Sequence, residues 1–268
     1  MNLTLPGQAQ GLPLPVKILE LVQPEALVLL LGLGLLLALA WRRERGKGPT
    51  YLRPIPGFEA ARKAISASAE TGKAVHLSAG TGSLGAFTTL PTLAGLELLA
   101  PLIQHAATLG SAFLTTTPSP LVMLVLESKV RRAFRAAGHP EEFAPAQVRF
   151  IGDAPTAYAA GVMGALTREN VASNIMAGAF GDEYLLMGET AARKGIEGIV
   201  GNADPSVLPF ALASADHLIM GEELYAAGAY LGRKPWHRAS LQAQDWLRLG
   251  LVGAILLAVL LKTTLGVP

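Results

Sequence analysis

The 268-residue sequence contains no cysteine. That excludes structural disulfides, thiolate metal sites and cysteine nucleophiles, and implies no oxidising compartment. Charged residues are scarce at 16%, and aromatics scarcer at 6%. No serine sits in a G-x-S-x-G elbow and there is no H-E-x-x-H. The nucleophile turn of α/β hydrolases and the zinc-binding helix of metalloproteases are therefore missing. There is no fixed-period repeat and no low-complexity tract. A cleavable signal peptide needs cations before its apolar run, whereas here they follow it.

What the sequence has in quantity is apolar residues: 51% of the chain, with a mean hydropathy of +0.39. Ala26–Trp41 is a run of 16 residues without a polar or charged side chain, followed by Arg42, Arg43, Arg45 and Lys47. A bilayer accounts for both halves: the apolar side chains leave water and the cations stay in it. Trp41 and snorkelling arginines extend a run slightly short of the ~20 residues that usually span the hydrocarbon. Leu249–Leu261 is a second apolar run of 13 residues, between Arg248 and Lys262, with Trp246 as its interfacial anchor. Gly34 and Ala38 in the first run, and Gly250, Ala254 and Ala258 in the second, repeat the small-xxx-small spacing that lets helices approach closely in lipid. The two anchors are expected side by side, with Leu36 opposite Leu256.

The organisation expected is a short extracytoplasmic segment over 1–23, a transmembrane helix over 24–41 and a basic linker over 42–53. An α/β domain follows over 54–232, then a linker over 233–245 and a second transmembrane helix over 246–265. Residues 54–232 hold 11 Lys and Arg against 16 Asp and Glu, a balance of −5, while nine cations flank them, five in 42–53 and four in 233–248. A domain of that sign is a poor partner for phosphate backbones, so nucleic acid is not an expected partner. The lipid bilayer is. The positive-inside rule puts the domain in the cytoplasm, at the cell membrane, with both termini outside.

Between the anchors, strands alternate with helices. Strands are expected at 74–79, 112–117, 148–151, 173–179, 196–200 and 217–220. Helices are expected at 58–71, 90–109 (with Pro101 as a kink or break), 121–137, 154–168, 182–194, 205–214 and 222–231. Six short strands in this rhythm predict a Rossmann-like, doubly wound, mainly parallel sheet with helices on both faces.

In such sheets ligands bind outside the carboxyl ends of the strands. The loops there are small, polar and glycine-rich. Gly80, Gly82 and Gly85 match G-x-G-x-x-G after a strand. With Thr81 and Ser83 they could bring backbone amides to an anionic group. However, the next helix starts only near Leu90, and the second strand ends in Thr115–Thr117 without the acid that holds a ribose. If the loop binds an anionic ligand, Gly82→Val is expected to abolish that binding while the fold survives, because a side chain there would block backbone approach without touching the core. Asp153, Asp182 and Asp204 each follow a strand and precede a helix. They suit N-caps, Asp204-Pro205 most clearly, and also suit a divalent cation; no metal site is assigned. Glu222 falls in the first turn of the last helix. His76 and His105 are lone histidines in apolar surroundings, the pattern of satisfied core residues. Lys129, Arg131, Arg132 and Arg135 cluster toward one helix end.

The stretches SADHLIMGEELYAAGAYLG (Ser214–Gly232), SLQAQDWLR (Ser240–Arg248) and GKAVHLSAGTG (Gly72–Gly82) resemble an uncharacterised bacterial domain-of-unknown-function family. Its members look like membrane-anchored α/β proteins, and the resemblance runs from about Pro54 to Leu261. It implies the domain's extent and a membrane link, and supplies neither an activity nor a cofactor. The function expected is a non-catalytic, membrane-anchored domain that binds a small ligand or a membrane-protein partner, or a second copy of itself. The alternatives are an enzyme acting on a nucleotide or phosphorylated metabolite at the strand-end rim, and a scaffold or accessory subunit of a membrane complex.

Overall fold

A computed structural model describes residues 24–47, 52–85, 87–232 and 234–265. The expected extracytoplasmic segment, 1–23, and part of the basic linker, 48–51, lie outside these. The chain forms two compact units. One comprises 51–237; the other joins 1–50 with 238–268.

In the first unit, α2 (Pro56–Thr71) starts at a proline in its first turn and stops at Gly72, whose φ of +68° suits the left-handed C-terminal position. Its Phe58, Ala61, Ile65 and Ser68 recur every three or four residues and are buried. The chain continues through β1 (Ala74–Gly80), α3 (Thr89–Leu109), β2 (Phe113–Thr117), α4 (Pro120–Ala137), β3 (Val148–Phe150) and α5 (Pro155–Arg168). Then come β4 (Val171–Ala179), α6 (Tyr184–Arg193), β5 (Glu197–Asn202), α7 (Leu208–Ser214), β6 (His217–Met220) and the single-turn α8 (Ala227–Tyr230). The helix α3 runs unbroken through Pro101.

The six strands form one sheet in the order β3-β2-β1-β4-β5-β6, and every paired neighbour is parallel. This is the doubly wound order, with its reversal between β1 and β4. The central strands β1, β2, β4 and β5 are buried nearly throughout, whereas the edge strands β3 and β6 are three and four residues long. Short edges limit strand pairing with other chains. On one side α3 packs against α2 and α4; on the other α6 packs against α5 and α7. Tyr158, Val162, Met176, Tyr184, Met187 and Val200 form the core under α5 and α6.

The stretch expected as the last helix, 222–231, is instead a 3-10 segment, Gly221–Ala226, followed by α8. It buries Leu224, Ala226, Ala227 and Ala229, a spread wider than one α-helical face.

The second unit pairs α1 (Pro24–Lys47) with α9 (Pro235–Leu265), which begins at the end of the first unit. The sequence from 233 to 245, expected as a linker, is helical from Pro235. Pro235 stands at a first helical position, where it is tolerated, and no proline or glycine interrupts ASLQAQDW. At ~1.5 Å per residue the two helices measure roughly 36 and 46 Å. Both are long and apolar enough to cross a membrane. They meet through Ala40, Ala239 and Ala243, with Leu36 and Trp246 packed alongside. Glu44 is buried there, its Oε1 3.8 Å from the Arg238 guanidinium. The small-residue faces expected to pack do not: Gly34 and Gly250 have open space beside them. Small side chains matter at Ala40 and Ala243 instead, one turn from the arginines.

Leu36 and Trp246 thus pack on the same alanine cluster, and Trp246 stands ten residues before Leu256. In this cysteine-free chain, Ala40→Cys with Ala243→Cys is expected to form an intrachain disulfide on oxidation, and Leu36→Cys with Leu256→Cys is not. Electrophoretic mobility without reductant distinguishes the two; crosslinking of the second pair alone would move the register by about 15 Å.

Candidate functional site

The loops after β1 and β4 leave the sheet toward opposite faces, α3 lying on one and α6 on the other. In a doubly wound sheet this divergence opens the crevice where ligands bind. Here it lies between the glycine loop, 80–85, and the Ala179–Glu183 turn.

The glycine loop bonds to its own chain. The Gly80 amide donates to Ser78 Oγ at 3.1 Å. The Thr81 and Gly82 amides both donate to the Ala179 carbonyl, at 2.8 and 3.3 Å. The Ser83 amide donates to Thr88 Oγ1 at 3.1 Å and the Gly85 amide to Thr89 Oγ1 at 2.9 Å. In a phosphate-binding loop such amides face the ligand. Here five of them have acceptors within the protein. Across the crevice, the Thr81 hydroxyl donates to Glu183 Oε1 at 2.6 Å, and the Gly181 amide donates to the same oxygen at 2.9 Å. Glu183 is only 7% exposed. Its carboxylate receives the kind of donors a bound anion would use.

Close backbone approach explains the glycines. Gly80 and Gly85 have φ of +95° and +94°, a region that side chains avoid, and a Cβ on Gly80 would collide with the Ala179 carbonyl. Gly95, on α3, lets that helix sit against the backbone of β4 at Ala177. A Cβ on Gly82 would strike Thr92 Oγ1, Ala179 and Thr88. This corrects the expectation for Gly82→Val: that side chain would meet the loop's own walls before any ligand. The helix α3 opens at Thr89, four residues past Gly85, so the motif precedes the helix rather than starting it.

The carboxylates do not converge. Among the described residues no group of three His, Asp or Glu is placed to hold a metal ion. Asp204 caps the turn that Pro205 begins, accepting from the Ser206 amide at 2.9 Å. Hydrogen bonds from Ser206 hold its carboxyl below the usual range. Asp153 and Asp182 are exposed, and the N-cap positions of α5 and α6 fall to Ala154 and Glu183, without side-chain cap bonds. Glu222 is exposed in the 3-10 segment after β6.

Behind the glycine loop runs a buried polar chain. His76 stands beside Asn174 in register across β1 and β4, and Ser78 beside Thr116 across β1 and β2. His76 Nδ1 lies 2.6 Å from Asn174 Oδ1 and Nε2 lies 2.8 Å from Thr116 Oγ1. The Tyr158 hydroxyl, from α5, lies 2.7 Å from Thr116 Oγ1 and 2.5 Å from Ser78 Oγ. One proton arrangement satisfies every member. The Gly80 amide donates to Ser78, Ser78 to Tyr158, Tyr158 to Thr116 and Thr116 to His76 Nε2; His76 Nδ1 donates to Asn174. It requires a neutral ring. Burial, the dominant cause, pushes His76 down to about 4 and Tyr158 up to about 12. The histidine is therefore a satisfied core residue tied to the first glycine of the loop. His105 lies elsewhere, half-buried on α3, 3.4 Å from Ser66 Oγ.

Sequence reasoning missed Glu183, Asn174 and Tyr158. Their partners lie 102, 98 and 80 residues away, a separation that local pattern does not carry. Asp182 beside Glu183 was visible as an acid at a helix start; that its neighbour turns back across the crevice was not.

These features define a doubly wound parallel α/β domain joined to two long apolar helices. The chain belongs to the family described as a domain of unknown function, DUF6754, whose model matches residues 16–267. No curated protein and no solved structure matches it.

The neutral ring gives a pH dependence. Unfolded histidine takes a proton near pH 6.5, and His76 in the fold only near 4. Its contribution to stability is therefore complete above pH 6.5 and is lost as the pH falls to about 4. The whole change amounts to about 3 kcal/mol. The imidazole resonances of His76 are expected to stay at neutral-ring positions at pH 5.5; a midpoint near 6.5 would place the ring in contact with water.

Proposed function

We propose that this protein is a membrane-anchored α/β domain that binds a small ligand or a membrane-protein partner, rather than an enzyme using a dinucleotide. The observation that carries the anchoring is an apolar surface on both helices. Leu29 and Leu30 on α1, and Leu249 and Leu256 on α9, are each more than 60% exposed and belong to continuous exposed runs. Keeping one such side chain out of water is worth about 1.5–3 kcal/mol, so the runs together are a strong drive into lipid. The dinucleotide reading is disfavoured by the glycine loop, whose amides already have protein acceptors and whose crevice is bridged by Glu183.

The domain lies in the cytoplasm, with both ends of the chain outside. The basic residues Arg42, Arg43 and Arg45 end α1, and Lys234, Arg238 and Arg248 precede the apolar run of α9. Both sets lie on the domain side of the two spans, as the positive-inside rule requires of the inner face.

The protein is expected to stay with membranes through alkaline carbonate washing and to leave only with detergent. A reporter active only in the cytoplasm is expected to be silent at Met1 and at Pro268 and active within 138–147. Release by carbonate would contradict the anchoring, and active terminal reporters the orientation.

A further inference from the structure

Away from the glycine loop, the outer side of α2, α3 and α4 carries a cleft of about 580 Å³, completed by Leu231, Gly232 and Lys234. Its size is ordinary for a small-molecule site, roughly 300–1,000 Å³. Arg62 from α2, Lys129 and Arg132 from α4, and Lys234 line it, with Glu97 of α3 as the one acid among the lining residues. Four cations thus face one carboxylate, and three of the four come from residues 54–232, whose own balance is −5. Glu97 is already engaged: its carboxylate oxygens lie 3.2 Å from Lys234 Nζ and 4.0 Å from Lys129 Nζ. Arg62 and Arg132 form no ion pair among the described residues.

The crowding has a physical cost. Lys129 is largely covered, its side chain 23% exposed. Burial, opposed by Glu97, holds its ammonium below the usual range, and Lys234 and Arg132 press the same way. Like charges gathered in a concave surface focus a positive potential. An anion there would offset the repulsion and gain charge-assisted hydrogen bonds from guanidinium and ammonium together. Gln104 and Thr108 add neutral polar groups, while Ala100, Ala133 and Leu231 supply an apolar wall.

We propose that this cleft binds a phosphate-bearing organic anion, its phosphate held by Lys129, Arg132 and Lys234 and its apolar portion against the alanine wall. The ligand is a phosphorylated metabolite or the headgroup of an anionic lipid. The site is separate from the glycine loop and does not depend on the anchoring reading. The cluster Lys129–Arg135, legible in the sequence at a helix end, gains this meaning only when Arg62 and Lys234 are brought beside it.

Calorimetry on the full chain in detergent tests it, with inorganic pyrophosphate and, separately, short-chain phosphatidic acid as probes. Saturable binding of either is expected: pyrophosphate alone indicates a soluble ligand, phosphatidic acid alone a lipid headgroup. Lys129→Gln with Arg132→Gln is expected to weaken binding by about tenfold or more. Lys63→Gln, an exposed cation outside the cleft, is expected to leave it unchanged. Glu97→Gln removes the competing carboxylate and is expected to tighten binding severalfold, an effect that mere loss of folding does not produce. Binding of neither probe, equal weakening by Lys63→Gln, or weaker binding in a folded Glu97→Gln protein would overturn the proposal.

Discussion

The structure depends on how closely β1 and β4 approach at their carboxyl ends. Gly80 and Gly178 bring the two backbones together, and Gly95 lets α3 settle on β4 at the same level. Without a Cβ at these points the Ala179 carbonyl reaches the amides of Thr81 and Gly82. Glu183 then reaches Thr81 from the other side of the crevice. In most doubly wound sheets the divergence of the two loops leaves room for a ligand. In this one the chain's own carbonyl and carboxylate occupy the donors. Of the glycines that resemble a nucleotide fingerprint, Gly80 serves close packing between the protein's own strands, and Gly82 fits against Thr92, Ala179 and Thr88.

That closure is continuous with the core. The Gly80 amide is the first donor of a hydrogen-bonded chain that passes through Ser78, Tyr158 and Thr116 to His76 and Asn174. A buried polar chain is costly if any member is left unpaired, because each unsatisfied group keeps its desolvation penalty of about 1–3 kcal/mol. Here each hydroxyl has a donor on one side and an acceptor on the other. The chain links β1, β2, β4 and α5, so the order of the three central strands and the placement of one covering helix are specified by direction as well as by apolar fit.

Much of the architecture was legible in the sequence because it rests on local pattern. Gly72, Gly110 and Gly138, each in the left-handed conformation, stop helices where the sequence suggested. The alternation of short apolar runs with amphipathic ones gave the six strands and the layered sheet. What was not legible depends on distant partners. Gly82 reads as a residue that could face a ligand until Thr92 and Ala179 are placed beside it. The polar stretch 235–245 reads as a linker because its charged and amide groups hide the spacing of Ala239, Ala243 and Trp246, which pack on α1 with Ala40. The small residues of the apolar runs follow a helix-pairing spacing, yet contact occurs nearer the arginines.

Three parts of one chain are thus distinct: apolar helices, a sheet whose crevice is bridged by the chain's own carbonyl and carboxylate, and a basic cleft lined from α2, α3 and α4. The closure of the crevice is what holds the β1 and β4 loops together. Hydrogen exchange on the full chain in detergent, resolved at single amides, tests it most directly. The amides of Thr81 and Gly82 are predicted to exchange as slowly as those of the central strands β1 and β4, since all are protected by bonds that break only with the core. Exchange of these two amides at the rate of an exposed loop, with β1 and β4 still protected, would contradict it.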